Sequence, residues 1–206
     1  MNRKVELAAK FDRKANMYER NRKTGALGLW RQQLLKNVTG KVLELGVGAG
    51  ANFPYYDASR VEVTAVDFSP NMIHKAKHAA VEYGITANFV QADVDHLELP
   101  DDSFDFVIST LSLCGYDNPL QVLTNMNRWC HADGEILLLE HGLGHNHALR
   151  GLQHLTHPLF KKLEGCHFNR DMAGLVTQSP LELQRVERHF AGMIYIMWAK
   201  PRKEIL

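Results

Sequence analysis

Two periodicities of apolar residues alternate along this chain. Val5, Leu7, Ala8, Phe11, Ala15 and Tyr18 recur at helical spacing, and Leu27, Trp30, Leu34, Leu35 and Val38 mark a second amphipathic helix. Short apolar runs follow at KVLELG (41–46), VEVTAVD (61–67), ANFVQAD (87–93), FDFVIST (104–110) and EILLLEH (135–141), all of strand length. Helical patterns separate them. NMIHKAKHAAVEYG follows the second strand and NPLQVLTNMNRWCHADG the fourth, with Pro119 suited to the first turn and Gly134 to the exit. LELQRVERHF and MIYIMWAK flank Ala191 and Gly192 as an antiparallel hairpin. Strands alternating with helices predict an α/β fold with a mostly parallel sheet. No internal repeat, low-complexity stretch or linker interrupts the pattern, so the 206 residues read as one domain.

Composition adds location rather than fold. The longest apolar runs, EILLLE and MIYIMWA, fall far short of the roughly 20 residues that cross a bilayer, and MNRKVELAAKFDRK lacks a signal-peptide core. Cys114, Cys130 and Cys166 are widely spaced and form neither a disulfide framework nor a CxxC pair. These features predict a cytoplasmic protein in a reducing compartment. The formal net charge of +1 hides an asymmetry: residues 1–41 hold eleven basic and three acidic residues, leaving the remainder acidic. One reading is a solvated helix surface, with Arg20, Arg22 and Lys23 complementing a helix C-terminus. The other is a patch in peripheral contact with anionic membrane or an acidic substrate. No nucleic-acid partner is expected, and nothing sets the oligomeric state.

The stretch VLELGVGAG, residues 42–50, carries the candidate chemistry. Gly46, Gly48 and Ala51 satisfy a relaxed dinucleotide pattern, and Asp67 lies where a carboxylate would grip a ribose. The spacing Glu44-x-Gly46-x-Gly48-x-Gly50 equally suits a loop for S-adenosylmethionine, which presents an ammonium and a sulfonium instead of a pyrophosphate. Charge separates the two, because a buried carboxylate at position 44 is costly beside phosphates and favourable beside a cation. Asp67 would then accept both ribose hydroxyls, Phe68 and Met72 would sandwich the adenine, and Asp93 would accept from its exocyclic amine. Core packing for Phe68 and Met72, and a loop cap for Asp93, are the plain alternatives.

Residues 42–141 resemble the class I S-adenosylmethionine-dependent methyltransferases, in the branch of the ubiquinone and menaquinone methyltransferases. The likeness rests on ELGVGAG, VDFSPNM, ADVDHLELPDDSFDFVIS and HADGEILLLEHG. It implies a Rossmann-like seven-stranded sheet of order 3-2-1-4-5-7-6 with strand 7 antiparallel and helices on both faces. It implies S-adenosylmethionine as cofactor and S-adenosylhomocysteine as product, held by Glu44, Gly46, Gly48, Gly50, Asp67, Phe68, Asp93 and Thr110. Asn52, Met72, Val94 and Tyr18, the last closing over the methionine carboxylate, complete the expected cofactor set. GANFPYY, TLSLCG, LLLEHG and GCHFNRD resemble segments of the methyltransferase-like 7 proteins, which methylate small alkyl thiols. No stretch here matches that family's N-terminal membrane anchor. The glycine loop and VDFSPNM are also similar to bacterial phosphatidylethanolamine N-methyltransferases. These resemblances imply a small-molecule acceptor, such as a thiol, and leave open a phospholipid amine or a quinone carbon.

Methyl transfer from a sulfonium needs alignment and exclusion of water more than a protein nucleophile. His141, ending the fifth strand, is the candidate general base for a thiol, with a backbone hydrogen bond as its plain alternative. The division expected is residues 1–40 as helices forming part of a lid, 41–141 as cofactor core, 142–181 as acceptor-pocket insertion and 182–200 as hairpin. Seven of eleven histidines lie between 141 and 189, yet no pair forms a zinc signature, so no metal is expected. Cys114 reads either as lining the methyl group or as a small buried hydrophobe. A nicotinamide-dependent reductase would need a proton donor such as a Tyr-x3-Lys pair, which is absent. An idle cofactor-binding module would be expected to have lost a glycine or the ribose carboxylate, and both are kept.

Overall fold

The computed structural model describes residues 3–20 and 26–203. The elements are α1 (Arg3–Arg20), α2 (Ala26–Leu35), β1 (Gly40–Leu45), β2 (Val61–Asp67), α3 (Pro70–Tyr83), β3 (Thr86–Gln91), β4 (Phe104–Thr110), α4 (Pro119–Trp129), β5 (Cys130–His141), α5 (His147–Glu164), α6 (Met172–Gln178), β6 (Leu181–His189) and β7 (Ile194–Pro201). They build one seven-stranded sheet of order β3-β2-β1-β4-β5-β7-β6. The pairs from β3 to β5 are parallel, while β7 runs antiparallel to both β5 and β6. This is the order that the sequence resemblance implies.

The central strands are apolar on consecutive positions because both faces are covered. Along β5, Ile136 and Leu138 enter one core with Leu43, Val107, Met126 and Trp129, whereas Leu137 and Leu139 enter the other with Val42, Ile108, Leu35 and Ile73. Helices α4 and α6 pack over the first face and α2 and α3 over the second. A third, small cluster joins Phe11 and Ala15 of α1 to Ala49 and Met72, which seats α1 across α3 and the glycine loop.

Local signals set the boundaries of α3. Ser69 accepts from the Met72 N–H, Pro70 opens the helix, and Gly84 closes it at φ 67°. The exit of α4 departs from the sequence expectation. The helix stops at Trp129, Cys130 is already extended, and β5 begins there with Cys130 paired to Phe104. Gly134 lies inside this strand beside a register shift, where an added Cβ would stand 2.6 Å from the Asp105 carbonyl oxygen. HADG is therefore a bulged approach to the strand: burial of Cys130 outweighs the helical signal of the preceding residues. β3 also ends earlier than expected, leaving Asp93 to cap a short turn at Val94–His96. Arg20 does stand in the last turn of α1, while Arg22 and Lys23 lie outside the described residues.

Candidate active site

The site opens at the carboxyl ends of β1, β2, β4 and β5, where an open α/β sheet changes direction and ligands bind. A cavity of about 440 Å³ lies there, lined by the glycine loop, the exits of these strands, α1 and the region after α5. Gly48 has φ 54°, and an added Cβ would meet nothing within 4 Å. The backbone is thus shaped so that a ligand, instead of protein, fills the space beside it. Asp67 closes the loop from the side: its Oδ2 accepts from the Gly48 N–H at 2.9 Å and its Oδ1 from the Ser69 N–H at 2.9 Å. The Phe68 N–H also bonds this carboxylate, which leaves it acceptor capacity for a hydroxyl donor. Burial raises the Asp67 carboxyl to about 6, against the pull of these backbone donors.

A polar network lies behind the loop. Asn52 Nδ2 donates to Glu44 Oε1 at 3.0 Å and to Thr110 Oγ1 at 3.2 Å, while its Oδ1 accepts from Arg31 Nε at 3.0 Å. Tyr56 donates its hydroxyl to Glu44 Oε2 at 2.8 Å. Complete burial pushes Glu44 up to about 7, opposed by the Tyr56 hydrogen bond and by the Arg31 charge. Arg31 is the member that reaches the cavity, with Thr110. The arrangement turns the Arg31 guanidinium to the cavity, backed by Glu44 through Asn52, a cation suited to a carboxylate group.

The exit of β4 is held open by a second network. Glu140 Oε1 accepts from Ser109 Oγ at 2.7 Å and from the N–H groups of Ser112 and Leu113 at 3.2 and 3.1 Å. Ser112 Oγ donates to the Leu45 carbonyl and accepts from the Tyr116 hydroxyl. Leu111 lies between them at φ 55°, a conformation that costs a leucine about 1–3 kcal/mol and marks sites where surroundings overrule the backbone.

The far wall is sulfur, imidazole and aromatic. His141 Nε2 stands 3.6 Å from Cys166 Sγ, and Cys114 Sγ, which donates to the Leu111 carbonyl at 3.9 Å, lies within 4.8 Å of both. Arg170 fixes this meeting by donating to the carbonyls of Leu113, Cys114 and Tyr116, and the His167 N–H donates to the Cys114 carbonyl at 3.0 Å. The Cys166 hydrogen bond and burial hold the Cys114 thiol well above its ordinary range. Burial works to lower His141, but the bond to Cys166 and the charges of Cys166 and Glu140 leave it raised. Leu7, Phe11, Tyr18, Phe160 and Phe168 supply the apolar remainder of the wall.

Of the residues expected from sequence, Tyr18, Gly46, Gly48, Asp67, Phe68, Met72, Asp93, Val94, Thr110 and His141 all line this cavity. Glu44, Gly50 and Asn52 do not: Glu44 and Asn52 are the buried support of Arg31 and Thr110, and Gly50 packs against Phe53 and Ala79. Phe68 meets Phe11 edge-on, with centroids 5.7 Å apart, and Met72 is almost wholly buried. Asp93 Oδ1 also accepts from the Asp95 N–H, so its plain role as a loop cap and its place on the cavity coexist. Ser112 and Tyr116 come from the loop TLSLCGY and Cys166 from the insertion after β5, both expected to shape the acceptor pocket, whereas Arg31 was not foreseen as a lining residue. Arg31 left a local trace, as the single charged residue of the helical stretch ALGLWRQQLL. The histidine spacing gave no metal signature, yet ligand atoms of Cys114, His141 and Cys166 lie within 4.8 Å of one another.

Residues 43–138 match the family model described as a methyltransferase domain. The chain is 30% identical to the mitochondrial methyltransferase OMS1 of Saccharomyces cerevisiae over 97% of its own length and 46% of that protein's. It is 32% identical to thiol S-methyltransferase TMT1B of Rattus norvegicus, over 66% of this chain and 59% of the relative. It is 36% identical to phosphatidylethanolamine N-methyltransferase of Cereibacter sphaeroides, over 50% of this chain and 51% of the relative. The chain thus spans about half the length of the curated relatives it matches. The S-adenosylmethionine-dependent methyltransferase of Mesorhizobium loti superposes with a TM-score of 0.66 at 17% identity, covering 87% of this chain and 99% of that one, a likeness of fold.

Proposed function

The chain belongs to the class I S-adenosylmethionine-dependent methyltransferases, and on that premise we propose that it transfers the methyl group of S-adenosylmethionine to a small, largely apolar thiol. One observation carries this reading: the open cradle at Gly48 and the sulfur-imidazole wall of Cys114, His141 and Cys166 belong to the same cavity. The likeness to thiol S-methyltransferase TMT1B of Rattus norvegicus supports the acceptor class.

The residues present fit the cofactor. When bound, S-adenosylmethionine supplies an electrophilic methyl group on a sulfonium. Asp67 accepts the ribose hydroxyls, Phe68, Met72 and Val94 enclose the adenine, and Asp93 accepts from its amine. Arg31 pairs with the carboxylate end of the methionine moiety, a better donor than Tyr18 because it is buried and charged. Glu44 and Asn52 set the orientation of Arg31 and offset its charge. Helix α1 and the insertion at 142–181 act as the cover: Leu7, Phe11 and Tyr18 from α1 and Phe160 from α5 exclude water from the path between donor and acceptor. Alignment in such a site supplies most of the rate for an in-line displacement.

Calorimetry with S-adenosylmethionine, S-adenosylhomocysteine and NAD, followed by methylation of a small alkyl thiol, tests the reading. Binding of the first two without NAD, and thiol turnover above that of an amine, is the expected result. NAD binding, or turnover of amines alone, overturns it.

A second reading is favoured by α5. Leu152, Leu155, Leu159, Phe160 and Leu163 are exposed large apolar residues on this helix, which also carries Lys161 and Lys162. Such a face suits an anionic bilayer surface, from which a lipid-like acceptor would enter the cavity beside Phe160. Among the described residues no helix is long and apolar enough to cross a membrane. Vesicle sedimentation at low and physiological salt tests the surface contact; absence of binding at low salt removes it.

A further inference from the structure

We propose that Cys114, His141 and Cys166 form a binding site for one soft divalent cation, Zn²⁺, with three protein donors and a fourth position open to the acceptor cavity. The three donors come from separate parts of the chain: the loop after β4, the end of β5 and the segment after α5. Their ligand atoms all lie within 4.8 Å of one another, and Cys166 Sγ stands 3.6 Å from His141 Nε2. Tetrahedral zinc with bonds of roughly 2.3 Å to sulfur and roughly 2.0 Å to nitrogen places such a pair about 3.5 Å apart and two sulfurs about 3.8 Å apart. The pair at 3.6 Å already spans the edge that a bound ion requires. Small side-chain rotations bring the third donor in, because Arg170 and the His167 N–H hold the two cysteine segments together through backbone carbonyls.

Charge favours this occupant. Two thiolates and a neutral imidazole around Zn²⁺ sum to zero, the state a mainly apolar cavity tolerates best. Sulfur and imidazole donors select zinc over calcium or magnesium, which take oxygen. All three residues also line the cavity that holds Gly48 and Thr110, so the fourth position faces the methyl-transfer path. Sites with three protein ligands and one open position are the catalytic kind.

The role in turnover rests on the thiol reading above; the metal site does not. A thiol entering the open position loses its proton to solvent and binds as thiolate. A sulfur lone pair then forms the new carbon–sulfur bond, and the electron pair of the broken bond returns to the cofactor's sulfur. The products are a methyl thioether and S-adenosylhomocysteine. His141 is accordingly a ligand in this scheme and not the general base its sequence position suggested.

The test uses the full chain, stripped of metal under reducing conditions and titrated with Zn²⁺ and with Co²⁺ as a coloured stand-in. One ion per chain is expected, with sulfur-to-cobalt charge-transfer bands and the intense visible bands of tetrahedral cobalt. Cys114→Ser and Cys166→Ser should each weaken Zn²⁺ binding beyond the roughly 10–100-fold typical of losing an outer-shell partner. The wild-type cobalt spectrum serves if a variant fails to fold. Adding 2-mercaptoethanol without cofactor should shift the charge-transfer bands. Calorimetry with S-adenosylmethionine on the same samples separates the claims: cofactor binding without stoichiometric metal sinks the metal site alone. Metal binding without cofactor binding sinks the methyltransferase reading and leaves the site. A Cys114–Cys166 disulfide in metal-free protein as purified, an oxygen-ligated cobalt spectrum, or a spectrum indifferent to 2-mercaptoethanol overturns the proposal.

Discussion

The two halves of the cavity are built differently. The half proposed for the cofactor comes from consecutive strand ends: Asp67 and Thr110 close β2 and β4, while Gly48 and Asp93 lie just beyond β1 and β3. The acceptor half draws on Leu7 and Phe11 from the first helix, Cys114 from a loop, and Phe160, Cys166 and Phe168 from more than forty positions further on. A sheet holds its loops at set spacing whatever fills them, whereas helices at the mouth can be exchanged without touching the sheet. Shared cofactor chemistry and divergent acceptors are the expected result of that division.

Substitutions in the two halves should therefore fail differently. The largest effect is expected for Gly48→Val, which fills the open cradle and forces a β-branched residue to φ 54°. It should abolish measurable S-adenosylmethionine binding while the circular dichroism of the folded sheet persists, since nothing of the protein lies within 4 Å of the new Cβ. Tight binding by a folded variant would place the cofactor elsewhere. Asp67→Ala comes next. Losing a charge-assisted contact of about 1.5–3 kcal/mol should weaken the cofactor by about 10- to 150-fold in calorimetry. A change of less than twofold would remove Asp67 from the ribose.

A pH dependence of several-fold is expected from the half around Asp67 and Glu44. Burial raises Asp67 to about 6 and Glu44 to about 7 in the folded protein. Because the folded state holds these protons more tightly than the unfolded one, the stabilisation is fully present below the unfolded values and is lost as pH rises through the folded ones. The cofactor-free melting temperature should accordingly fall between about pH 5 and about pH 8, and Glu44→Gln should flatten the slope. Cofactor affinity should rise over the same interval as Asp67 ionises. A slope unchanged in Glu44→Gln would assign the effect to other groups.

The smallest effect on the fold is expected at the rim. Leu155, 79% exposed on α5, should tolerate replacement by Gln with a stability change within about 0.5 kcal/mol. The same change should reduce vesicle association if α5 lies on lipid. Urea denaturation and sedimentation read the two quantities separately, and a large stability loss would show that this face is packed in solution.

Much of the fold was legible because each local signal agreed with the global one: apolar runs of strand length, Ser69-Pro70 at one helix start and Asn118-Pro119 at another, Gly84 at an exit. The HADG stretch was misread because Gly134 imitates a helix exit, and only pairing of Cys130 with Phe104 shows it to be a strand approach. The glycine loop and Asp67 were readable because short sequence spacing dictates their geometry at a strand end. Glu44 and Asn52 lie behind the cavity wall instead of on it, a depth that packing sets and spacing does not. Apolar periodicity determined the α/β class, and the short glycine spacing the shape of the loop after β1, as both depend on interactions between near neighbours. Arg31 beneath the loop and the meeting of Cys114, His141 and Cys166 were decided by tertiary structure alone. Those contacts join residues far apart in the chain, and nothing in their local sequence fixes the distance between them.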